Sequence, residues 1–245
     1  MDARRYAELE AAAFAAWPAL EAEDYLGWRL QFTEGYTKRA NSANCGLDCA
    51  DLSTEQVAEI EQRYRQRGLP TIFRLSSVAA PPGIDDLLAA RGYRWVDESL
   101  VMTLPLQDLK AAVEPLVTQE AGDWLATFQH ASGGTAPGQE THLRMLRSIR
   151  APCAFAVEQL GGEPVCWGLG VLVDGKLGLF DIATAAAHRQ RGRASRLCAG
   201  LMAWGRDRGA DLAYLQVTGS NAAAIRVYEK LGFRRAYRYW YRVGA

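Results

Sequence analysis

One short stretch concentrates arginine and glycine next to residues that can start a helix: Arg189, Gln190, Arg191, Gly192, Arg193, Ala194 and Ser195. It follows an apolar strand pattern (Leu177, Leu179, Ile182) that carries Asp181, and it leads directly into helical spacing. A strand, a glycine turn and a helix start together make an anion cradle. The first helical turn offers N–H groups without intrahelical partners and about half a positive charge, and small residues let a phosphate approach the backbone closely. Solvated arginines on a helix face would give a similar string, so position matters. The same letters, Arg65-Gln66-Arg67-Gly68, recur where a helix pattern stops and a strand begins; only the copy at 189–192 precedes a helix.

Composition bounds what surrounds this stretch. With 245 residues, 49% of them hydrophobic, the chain can bury one large core or two small ones. The first seventeen residues mix acids, bases and alanines at helical spacing, and no later run reaches the length of a membrane span, so a cytoplasmic protein without membrane partners is expected. Five scattered cysteines (Cys45, Cys49, Cys153, Cys166, Cys198) form no C-x-x-C unit, and the three histidines stand apart from them, so neither a disulfide framework nor a metal site is expected. Cys45 and Cys49 read as tolerated residues of a polar loop, and His142 and His188 as surface residues. A formal net charge of zero opposes a dedicated nucleic-acid binder. The charge is uneven, however: from His188 onward 12 Lys and Arg face 3 Asp and Glu, against 16 and 25 before it, which suits a small polyanionic ligand.

The elements that position the cradle follow from periodicity and breakers. Helical spacing is expected over 6–17, 54–67 (with Ser53 and Gln56 as a capping box), 84–91, 119–131, 139–149, 194–208 and from Asn221 to 231. Strands are expected over 71–76, 93–104, 153–159, 165–173, 176–184, 211–218 and 233–243, with a hairpin over 27–40 turning at Glu34 and Gly35. The Gly/Pro-rich residues 132–138 read as a loop, and the chain is expected to cross between two units around 105–115. Residues 65–76 resemble 206–217, and 87–94 resemble 227–234; each half reads helix, glycine stop, strand, helix, glycine stop, strand. The stops are 24 residues apart in one copy (Gly68, Gly92) and 23 in the other (Gly209, Gly232), which points to an internal duplication. Leu88 stands where the second copy has Tyr228, so the first copy is expected to be non-catalytic.

Arg189-x-x-Gly192-x-Ala194 after a strand, then Asn221, Ala224, Tyr228, Gly232 and Phe233, resembles the GCN5-related N-acetyltransferases (GNAT) over residues 115–245, with the N-terminal half similar to a degenerate tandem copy. The resemblance implies an α/β fold of two GNAT-like units, 1–106 and a catalytic 107–245, each a mixed, largely antiparallel sheet flanked by helices. It implies acetyl-CoA as co-substrate and direct acyl transfer to a primary amine. Ile182, Ala183 and Thr184 would pair with the pantetheine arm, the backbone of Arg189, Gln190, Arg191, Gly192, Arg193, Ala194 and Ser195 would hold the pyrophosphate, Asn221 would touch the pantetheine side, and Tyr228 would protonate the departing thiolate. A lysine-like amine is mostly protonated at neutral pH, and removing its proton costs about 4.6 kcal/mol. Asp181 is the first candidate to accept that proton, Glu158 the second. The acceptor stays open between small molecules and peptide or protein amines, set by the loops at 34–44 and 132–138, and the assembly between monomer and homodimer. Two rival classes are a CoA-binding sensor without catalysis, which the retained Tyr228 opposes, and a nucleotide or nucleic-acid binder, which lacks a G-x-x-x-x-G-K-[ST] string.

Overall fold

The computed structural model describes residues 2–109, 117–132 and 136–244. The expected crossover at 105–115 lies partly, and residues 133–135 wholly, outside the described residues; on either side the expected loop is helical instead, with Ser132 ending one helix and Ala136 opening the next. The first half contains α1 (Ala3–Ala16), β1 (Glu21–Tyr25), β2 (Trp28–Phe32), β3 (Ala43–Cys45), α2 (Thr54–Gln66), β4 (Ile72–Ser76), α3 (Ile84–Ala90) and β5 (Arg94–Pro105). The second contains β6 (Thr118–Gln119), α4 (Ala121–Ser132), α5 (Ala136–Ser148), β7 (Cys153–Leu160), β8 (Glu163–Val173), β9 (Lys176–Thr184), α6 (Arg193–Arg206), β10 (Leu212–Thr218), α7 (Ala222–Leu231) and β11 (Arg234–Val243). Local chemistry explains the best-formed ends. Ser53 and Gln56 exchange side-chain and backbone bonds in the capping box at α2, and the Asn221 side chain accepts from Ala224 N at the start of α7.

All the strands join one mixed sheet in the order β1-β2-β3-β4-β11-β5-β10-β9-β8-β7-β6. β5 and β11 pair across the two halves of the chain. β11, the last strand of the chain, lies antiparallel between β4 and β5, whereas β5 has both its neighbours, β10 and β11, in the second half. Helices cover both faces. One core, rich in aromatic residues, packs α1, α4 and α5 on the sheet (Tyr6, Trp17, Trp124, Phe180, Tyr239); a second lies under α6 and α7 (Leu179, Leu197, Leu201, Ile225, Tyr228); a third packs α2 and α3 on the first-half strands. Among the described residues no helix is long and apolar enough to cross a membrane.

A buried ionic cluster ties α1 to the middle of the sheet. Glu10 accepts from both terminal nitrogens of Arg74 on β4 (2.5 and 3.0 Å) and from the Tyr237 hydroxyl on β11. Burial by itself would push the Glu10 carboxyl up, but the Arg74 charge and these hydrogen bonds outweigh it and hold Glu10 below the ordinary carboxylate value.

The N-terminal hairpin differs from expectation. It turns at Leu26–Gly27, both left-handed (φ 51° and 77°), with Tyr25 paired to Trp28. The Asp48 carbonyl would lie 2.7 Å from any Cβ on Gly27, so no other residue fits there. The segment around Glu34 leaves the sheet because Asn41 fixes it: Oδ1 accepts from Thr33 N and Gly35 N, and Nδ2 donates to Tyr36 O and Thr37 O. β3 and β6, three and two residues long, are too short to show alternation, and Cys45 is buried on β3 rather than in a loop.

Candidate active site

β9 and β10 run parallel only from Lys176 paired with Leu212 to Leu179 paired with Leu215; beyond that they splay, and residues 180–184 keep only the β8 side of their pairing. That leaves one backbone edge of β9 open within the sheet. At the splay, β9 also carries a bulge opposite Gly168, where Asp181 adopts φ +49°. Aspartate tolerates this left-handed conformation better than most residues. The extra residue resets the alternation, so Phe180 packs into the aromatic core and Ile182 toward α6, while Asp181 turns to the α5 face.

There Asp181 Oδ2 lies 3.0 Å from His142 Nε2, out of line for a hydrogen bond, and the imidazole has no exposed surface. His142 sits among Tyr36 (stacked, 4.8 Å), Trp17 (5.6 Å) and Phe128 (6.1 Å). The expectation of a surface histidine is therefore wrong. The inward stripe of α5 is Thr141, His142, Met145 and Leu146, with Leu143 only half-buried at its margin. Reading 142, 145 and 146 as one face would have found it.

Past Thr184 the chain makes a short 3₁₀ turn and enters α6 through Gly192, which is left-handed (φ 74°) and provides no side-chain cap. Gln190 is left-handed too (φ 60°). No side chain of Gly192 competes for the N–H groups opening α6, the chemistry a phosphate requires. Arg189 donates to Thr184 O (3.1 Å), and Arg196 to Arg191 O (3.2 Å), which braces the turn. The Arg193 side chain is engaged by Glu158 on β7, shared with Arg196, so Arg193 offers its backbone only, and Glu158, the second candidate base, already neutralises two guanidinium groups. Arg189 and Arg191 remain exposed. By contrast, Arg65 to Gly68 closes α2 and runs on toward β4, as position demands.

A cleft of about 280 Å³ opens where β9 and β10 part, lined by Leu179, Phe180, Asp181 and Ile182 on one side and Gln216, Val217, Thr218, Asn221, Ala224 and Tyr228 on the other. The structure thus brings Asp181, Ile182, Asn221 and Tyr228 together; Ala183 and Thr184 continue the open edge toward Gly192. Tyr228 is buried against Phe233, and that burial raises its phenol well above the ordinary value, so it stays protonated at neutral pH. The cleft has one further lining residue that sequence reasoning missed, Arg39, from the Asn41-pinned loop of the first half. A second cleft, of about 610 Å³, lies between that loop and α5, lined by residues including Glu34, Tyr36, Thr37, Glu140 and Arg144.

A mixed sheet with a splayed parallel pair, a glycine turn feeding a helix and a tyrosine-bearing helix across the splay defines the GCN5-related N-acetyltransferase class. The chain belongs to the family described as "Probable histone acetyltransferase Rv0428c C-terminal", whose model matches residues 5–242, and it is an enzyme of the GNAT type. It is 29% identical over 244 residues to "Uncharacterized N-acetyltransferase YobR" of Bacillus subtilis (strain 168), covering 96% of this chain and 97% of the relative. Among solved structures its fold is similar to a GCN5-related N-acetyltransferase from Kribbella flavida (TM-score 0.73, 17% identity, 99% of this chain and 96% of that one). It is also similar to one from Sphaerobacter thermophilus (TM-score 0.63, 22% identity, 78% and 67%).

Proposed function

We propose that this chain moves an acetyl group from acetyl-CoA directly to a primary amine. The observation that supports this reading best is the continuity of the open β9 edge, which runs from the uncapped start of α6 to the cleft shared by Asp181 and Tyr228. The residues present fit a CoA. The α6 N–H groups and the exposed Arg189 and Arg191 suit its phosphates, at roughly 1.5–3 kcal/mol per charge-assisted contact, and the free edge at 182–184 suits the amides of a pantetheine arm. When bound, the thioester supplies the activated acyl carbon.

Asp181 accepts the proton of the incoming ammonium, directly or through a water, with His142 Nε2 standing 3.0 Å behind that carboxylate. The amine nitrogen then forms a bond to the acyl carbon as the carbon–sulfur bond breaks, Tyr228 gives its proton to the departing sulfur, and the second proton that the nitrogen sheds on becoming an amide restores the Tyr228 hydroxyl. Asn221 caps α7 through its Oδ1 and lines the cleft, where it touches the pantetheine side. Residues 1–106 act as a non-catalytic duplicate of 107–245, and the acceptor enters past the loop carrying Glu34 and Tyr36, through the larger cleft.

A thiol-release screen of acetyl-CoA against a panel of amines tests this, with Tyr228→Phe as control. We expect Tyr228→Phe to lower turnover at least tenfold, toward the 10²- to 10⁴-fold typical of a general acid, with CoA affinity unchanged by calorimetry. Loss of affinity and turnover together would assign Tyr228 to binding or packing. An absence of CoA binding would overturn the reading, and binding without turnover on any amine would make the chain a sensor.

A further inference from the structure

The catalytic cleft contains one cation that the transfer chemistry does not use. Arg39 reaches it from the first half, over the Phe180 ring (5.9 Å to the centroid) and on the wall opposite α7. Its Nε is shielded from solvent and has no hydrogen-bond partner, and its guanidinium enters no ion pair with a carboxylate of the described residues. The buried Glu10 feels the Arg39 charge but makes its hydrogen bonds to Arg74 and Tyr237. The cluster behind the cleft therefore carries two guanidinium groups and one carboxylate. Beside Arg39 stand the Arg74 guanidinium and the phenols of Tyr239 and Tyr241; the Tyr239 oxygen is its hydrogen-bonding neighbour and donates its own hydroxyl to Gln216 Oε1 (3.0 Å), another lining residue. A half-buried cation that faces a cleft with no carboxylate paired to it is suited to a ligand that supplies the missing charge. Asp181 lines the same cleft, so one wall holds an anion and another a fork of donors, spaced widely enough not to pair with each other.

We infer that Arg39 is a specificity residue that binds a carboxylate of the acceptor, so that the acceptors are amines that carry a carboxylate, of the size of single amino acids. This rests on the acetyl-transfer reading above. The fork geometry of arginine matches a carboxylate bidentately, and with Asp181 lining the same cleft an amino acid held this way would present its ammonium toward the proposed base. The non-catalytic half then has a chemical task, since the residue that reads the acceptor lies on its loop. The same carboxylate chemistry has a second source, a dicarboxylic acyl group on the thioester, and the test separates the two.

The experiment measures thiol release with matched pairs, phenylalanine against phenethylamine and leucine against isopentylamine, using acetyl-CoA and succinyl-CoA, for the wild type, Arg39→Gln and Arg39→Lys. We expect the wild type to favour the carboxylate-bearing member of a pair by at least 100-fold in kcat/KM with acetyl-CoA. Arg39→Gln should reduce that ratio to below tenfold chiefly through KM, and Arg39→Lys should give an intermediate ratio; retained CoA binding by calorimetry shows that each variant is folded. Acetylation of amines without regard to the carboxylate would overturn this inference while leaving the transfer reading intact. An Arg39-dependent preference for succinyl-CoA over acetyl-CoA would also overturn it, by assigning Arg39 to the donor. No transfer to any amine and no CoA binding would instead fail the underlying function.

Discussion

Replacing Glu10 with glutamine isolates the buried cluster that joins α1 to β4 and β11. Glu10 is 6% exposed and Arg74 3%, and the pair is bidentate with a third bond from Tyr237. Glutamine keeps the shape but leaves Arg74 unpaired beside Arg39. Breaking a buried pair in this way costs about 3–5 kcal/mol, a large share of the roughly 5–15 kcal/mol that holds a domain folded. At about 2–4 °C per kcal/mol for a chain of this size, the melting temperature should fall by about 6–20 °C at pH 7. The sign with pH follows from the direction of the shift. The folded Glu10 lies below its ordinary 4.5, so its contribution is fully present above that value and is lost as pH falls through the depressed folded value. Calorimetric melts of wild type and Glu10→Gln should therefore differ most near neutrality and converge in acid, below pH 4.5. A difference under about 2 °C at pH 7, or one that does not shrink in acid, would refute the assignment of Glu10 as the charged partner.

Two further substitutions probe the site directly. Asp181→Asn keeps a residue that tolerates the left-handed bulge but removes the base; turnover should drop by about 10²- to 10⁴-fold with little change in melting temperature, and activity within threefold of wild type would rule Asp181 out. Gly192→Val forces a branched side chain into φ 74° at the entrance to α6, a strain of about 1–2 kcal/mol. Calorimetry should show CoA binding weakened at least tenfold, and unchanged affinity would mean that the α6 entrance does not hold the phosphates.

What could be read from the sequence was local. The glycine turn feeding α6, the Ser53 capping box, the Asn221 cap and the hairpins at 161–162 and 174–175 all depend on residues within a few positions of one another, and each is where spacing puts it. The first hairpin was harder because Leu26-Gly27 and Glu34-Gly35 are both left-handed pairs eight residues apart; Asn41 and the Asp48 backbone, not the turn letters, decide which one closes the ladder. The bulge that re-aims Asp181 depends on Gly168 across the sheet, and Arg39 joins the cleft only because β11 and β5 bring the two halves into one sheet. Such placements are tertiary and leave no period in the chain. His142 is the intermediate case, since its helical stripe is present in the sequence but a polar residue on it is not expected to face inward.

The pairing of β5 and β11 across the halves also constrains how the molecule can be made. β4 is completed by β11 and β5 by β10, so neither has its full set of partners until residues 212–243 have been synthesised. At roughly 5–20 residues per second, the first half waits about 7–30 s after β5 leaves the ribosome with an unsatisfied sheet edge. Open edges of this kind template wrong pairings. The last ten-residue strand therefore acts as a latch that closes both halves at once, and a nascent chain halted before it would hold neither the Arg39 loop nor the cleft between β9 and β10 in register.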